Sequence, residues 1–133
     1  MFYPMFVMAM LTIGVGLYLF SMRVRMSKSG LVDPRVFKLN KSKDLPDVLI
    51  QTANNFSNLF EVPVLFYVVC ITAIVTQHQS LAMQVLAWLF VISRLAHTYI
   101  HLTKNKIIPR LIAFISGVLL VSIMWILLLL QMM

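Results

Sequence analysis

Three groups of polar and ionisable residues interrupt an otherwise apolar chain of 133 residues. Asn54, Asn58 and Glu61 stand at i, i+4 and i+7. On a helix turning about 100° per residue they fall within roughly 60° of one another. Arg94, His97 and His101 stand at i, i+3 and i+7 and share a face in the same way. Lys104, Lys106 and Arg110 follow within about three helical turns. An ionisable group inside a membrane span costs roughly 2.5–3.5 kcal/mol, so each of these marks either a site or a polar contact that glues two helices together. As a site, the set suits an anionic, water-soluble ligand. Counted from the same ends of their spans, Glu61 and Arg94 differ in depth by only about 6 Å, which predicts an ion pair between them. His97 and His101, one turn apart, have a metal-ligand spacing with Glu61 as a third ligand. Such pairs near an interface more often hydrogen-bond or pack, and no metal is assigned.

Four apolar spans position these groups. Residues 1–22 carry no charge and are long enough to cross about 30 Å of hydrocarbon. They lack the basic start and small-residue cleavage site of a removed leader. Arg23 and Arg25 mark the interface, and residues 23–46 read as a basic loop punctuated by Gly30, Pro34 and Pro46. The second span runs over about 47–76, polar in its first half and apolar from Val62 onward. Pro63 is expected to loosen its backbone bonding. The turn 76–80 (TQHQS) has no Lys or Arg. The third span covers 81–103, residues 104–109 form a short basic connection, and Pro109 and Arg110 open the fourth, with 111–133 uncharged.

Composition agrees. Hydrophobic residues are 61% of the chain and charged residues 11%, a balance that only lipid tolerates as solvent. The formal net charge of +7 reflects clustering, since seven of the eleven Lys and Arg lie between Arg23 and Lys43. Nucleic-acid binding is the weaker explanation of this basicity. The positive-inside rule accounts for it, placing loops 1 and 3 in the cytoplasm and both termini on the opposite side. The one cysteine, Cys70, lies in an apolar run and has no assigned role. The expected fold is all-α, an integral membrane four-helix transmembrane bundle in one domain over residues 1–133.

These residues together resemble the MAPEG family, the membrane-associated proteins of eicosanoid and glutathione metabolism. Asn58-x-x-Glu61 with Pro63 close by resembles the second-helix motif, and Arg94-x-x-His97 the third-helix motif. Arg110 stands where the family carries an Arg at the start of its fourth helix. The separations among Asn58, Glu61, Arg94, His97 and Arg110 fit one ungapped register with the family pattern, over nearly the whole length. The sequence departs from the pattern at Asn54 and Ser57, where the family has Arg. It departs again at His101 in place of a Tyr, at Leu111 in place of a Ser and at Phe114 in place of a Tyr. Pro63 is also closer to Glu61 than in the family's glutathione-using synthases.

The resemblance implies a homotrimer with glutathione as co-substrate, bound between protomers near the cytoplasmic face. It implies Arg110 as the catalytic residue that stabilises the thiolate. Asn58, Glu61, Arg94, His97 and His101 become binding candidates, with Arg23 or Arg25 for the carboxylates. A lipophilic electrophile or hydroperoxide would arrive from the membrane lipids to be conjugated or reduced. Two other classes compete. One is a non-enzymatic scaffold that binds a lipid or anion and keeps only the fold. The other is a small transporter with Glu61 and His97 as a proton relay.

Overall fold

The computed structural model describes residues 1–39 and 45–133. Among these residues the helical segments are α1 (Phe2–Lys28), α2 (Pro34–Leu39), α3 (Asp47–Asn58), α4 (Val62–Val75), α5 (Leu81–Leu102) and α6 (Ile107–Met132). The protein is an all-α, four-span membrane bundle. Its spans are α1, the α3–α4 run, α5 and α6, each long and apolar enough to cross a bilayer. Large apolar side chains such as Leu17, Phe20, Ile71, Ile92 and Ile126 point outward and are more than half exposed, as lipid-facing residues are.

α5 is the central element. It has the largest buried share of the four spans, 44% of its apolar window against 17% for α1, and it packs on α1, α3 and α6. In one half of the bundle the core is a dry cluster of Met8, Phe66, Met83, Phe90 and Met124. Phe66 and Phe90 stack there with ring centroids 4.3 Å apart. The chain ends meet at this half. The Met1 amino group donates to Gln79 Oε1 at 3.4 Å, and Gln131 Nε2 donates to Ser80 Oγ at 3.0 Å. Both termini therefore lie beside the turn between α4 and α5. At the other end the Gln51 amide donates to the His101 carbonyl, satisfying one of the acceptors left free at the C-terminus of α5.

The second span differs from a continuous helix. Residues 59–61 leave the helix between α3 and α4. Pro63, near the first turn of α4, lacks an N–H, and its ring would clash with the Leu59 carbonyl in an unbroken helix. Glu61 becomes the cap residue of α4, with φ −95° and ψ −96°. Asn54 and Asn58 thus share a helix with each other but not with Glu61. The basic loop also begins later than residue 23. α1 runs on to Lys28, because residues 23–28 are tolerant helix formers, and the chain turns only at Gly30, whose φ of +74° suits glycine. Lys41 and Lys43, counted with the basic loop, lie outside the described residues.

Candidate functional site

A cavity of about 420 Å³ opens between the α3–α4 break, α5 and the start of α6. Its first wall is Asn54, Ser57, Asn58 and Glu61. His97 and His101 form the second, and Ile107, Arg110, Leu111 and Phe114 the third. The break in the second span serves this geometry. It turns Glu61 out of the α3 register into an exposed cap position where its carboxylate has no side-chain bond to its own helix.

The two histidines are nearly buried, each 3% exposed. His97 Nδ1 lies 3.2 Å from the Arg110 carbonyl, which ties the middle of the second wall to the third. His97 Nε2 and His101 Nδ1 are buried without a partner, so each histidine keeps one unsatisfied polar atom. Arg110 is half-buried, and its Nη1 donates to Asn105 Oδ1 at 2.7 Å. A second cavity of about 340 Å³, lined by Asp47, Gln51 and Asn105 among others, meets the first at Asn54, His101 and Arg110. Ile107 and Leu111, 71% and 52% exposed, form an apolar edge of the main cavity, and its polar lining offers amides, imidazoles, the Glu61 carboxylate and the Arg110 guanidinium.

Five sequence candidates stand elsewhere. Arg94 does not pair with Glu61. It is 1% exposed and turned toward α6, where Nη2 donates to the Phe114 carbonyl at 2.9 Å. Its guanidinium lies 5.1 Å from the Phe90 ring centre and 5.3 Å from that of Phe114. Gly117 makes this possible, because a Cβ there would overlap the guanidinium. Arg94 therefore supports the third wall from behind. Arg23 lies over the Phe37 ring at 5.4 Å and lines a separate, largely apolar cavity of about 450 Å³ between α1 and α2. Arg25 is exposed and lines none of these cavities. Lys104 and Lys106 are exposed outside the cavities, so among the described residues Arg110 is the one Lys or Arg that lines the main cavity. Among the described residues no three His, Cys, Asp or Glu side chains gather as metal ligands would.

Sequence reasoning passed over Ile107 and Asn105. Ile107 looks like any lipid-facing residue. Asn105, in a short helix–helix connection, carries the usual signal of a left-handed turn. The positions that depart from the family pattern, Asn54, Ser57, His101, Leu111 and Phe114, all line the cavity.

The MAPEG family profile matches residues 1–130. The chain belongs to the MAPEG family. No curated protein and no solved structure gives a significant match. MAPEG membership joins the four-span bundle to a family associated with glutathione. In this MAPEG chain the register residues Asn58, Glu61, His97 and Arg110 converge on one cavity, and Arg94 does not.

Proposed function

We propose that the cavity binds glutathione and that the protein conjugates it to, or uses it to reduce, lipophilic electrophiles or hydroperoxides. One observation carries this reading. Asn58, Glu61, His97 and Arg110, which come from three spans, line a single cavity of about 420 Å³, within the usual range of small-molecule sites. The donor set suits the tripeptide. Glu61 is placed for an ammonium group, Arg110 for a carboxylate or thiolate, and Asn58 for a peptide amide. His97 and His101 complete the polar wall.

Glutathione, when bound, supplies a thiol that is nucleophilic as the thiolate. Arg110, in the first turn and a half of α6, adds its charge to the positive end of that helix and holds an anion there. Ile107 and Leu111 give a lipophilic reactant an apolar approach from the bilayer and limit water at the mouth. The ligand's second carboxylate needs another cation. In a homotrimer Arg23 or Arg25 of a neighbouring copy would meet it, and the basic loops would face the cytoplasm.

A second reading rests on Leu111 and Phe114. They bring no hydroxyl to the cavity wall, which favours a scaffold that binds an anion or lipid without turnover. Glutathione-dependent consumption of a lipophilic aryl halide and of a fatty-acid hydroperoxide separates the two. Turnover by the native protein and none by Arg110→Ala supports the enzyme. Binding without turnover of either substrate supports the scaffold.

A further inference from the structure

Asn105 stands in the left-handed region at φ +43° in the connection between α5 and α6. Its N–H bonds to the Ile100 carbonyl at 2.9 Å and closes the last turn of α5. Its Oδ1 accepts from Arg110 Nη1 at 2.7 Å, the short range of a charge-assisted bond. One residue thus ends α5 and grips the guanidinium five residues on. Asn105 lines the second cavity and not the first, whereas Arg110 lines both. The grip therefore comes from the side away from the main cavity. Asp47 lines that same side and offers the guanidinium a competing carboxylate. An arginine has several rotatable bonds and about 2 kcal/mol of rotamer entropy, so a half-buried one without a fixed partner would divide its time between the two cavities.

We propose that Asn105 is a positioning residue that fixes Arg110 at the wall shared by the two cavities, so that ligand affinity in the main cavity depends on its side-chain oxygen. This rests on the glutathione reading above. Asn105→Gly keeps the left-handed backbone and removes the acceptor, while Asn105→Asp keeps an acceptor. We expect Asn105→Gly to weaken glutathione binding about tenfold, the scale of one hydrogen bond to a charged group. Asn105→Asp, which sets a carboxylate against the guanidinium in competition with an anionic ligand, should weaken binding as well, and neither variant should lower the melting temperature. Native-like affinity in Asn105→Gly overturns the proposal. If the native protein binds no glutathione, the function reading fails and the positioning claim is read separately. Modification of Arg110 by phenylglyoxal, followed by mass spectrometry, should then run several-fold faster in Asn105→Gly. An unchanged rate overturns it.

Discussion

Gly117→Ala should destabilise the bundle, and removing Arg94 should reverse the sign of its effect. Arg94 is buried at the α5–α6 contact, and its guanidinium occupies the space that a Cβ on Gly117 would fill. In an exposed helix the change to Ala gains about 1 kcal/mol through helix propensity. Here the added methyl displaces a packed side chain, which costs about 1–3 kcal/mol. It also endangers the 2.9 Å bond from Arg94 to the Phe114 carbonyl, where a charged hydrogen bond is worth about 1.5–3 kcal/mol. The net loss expected is about 2–4 kcal/mol. In an Arg94→Ala background the overlap is gone, the propensity gain remains, and Gly117→Ala should stabilise by up to about 1 kcal/mol. Unfolding of the four proteins of this cycle in one detergent, followed by circular dichroism, reads both numbers. If Gly117→Ala costs the same with and without Arg94, the guanidinium is not what fills the space beside Gly117, and the account of the third wall fails.

Glu61→Gln should weaken glutathione binding about tenfold with no change in melting temperature, since the carboxylate is exposed and bonds to no side chain of its own helix; calorimetry and a melting curve read the pair. Phe114→Tyr places a hydroxyl on the cavity wall and should tighten glutathione binding about three- to tenfold, measured by the same titration. Gly16→Leu should cost about 1–3 kcal/mol of stability in detergent unfolding, because a Cβ at Gly16 would stand 2.9 Å from the Phe56 ring. For orientation, single cysteines at Lys28, Gln77 and Lys104 in a Cys70→Ser background should divide in two. In intact cells an impermeant maleimide should label the one at Gln77 and spare those at Lys28 and Lys104, which should label only after the membrane is permeabilised.

The spans were legible because charge is nearly absent from them and abundant where they end. Residues 1–22 and 111–133 could be read with no other information. Pro63 announced a disturbance in the second span but not its size. Whether a proline loosens one bond or breaks a helix depends on what the freed carbonyls and the turned-out Glu61 find around them. The periodicity of Arg94, His97 and His101 set them on one face, and both histidines line the cavity. It failed for Arg94, since a shared depth does not fix direction. The deciding residue, Gly117, lies on another span, and a glycine in an apolar run does not reveal that a guanidinium rests on it. The site itself was read from register with a family pattern. The departures from that pattern, His101 and Phe114 among them, proved to line the same cavity as the residues that keep it. Asn105 escaped notice because its role needs two facts at once, a left-handed backbone and a side chain turned toward Arg110.

The central claim is that glutathione binds in the cavity beside Arg110. Calorimetric titration of the detergent-purified protein with glutathione, alongside Arg110→Ala, tests it most directly. The account predicts micromolar to millimolar binding by the native protein that the variant loses while its melting curve is unchanged. Absence of binding at high millimolar glutathione, or equal binding by both proteins, would contradict it.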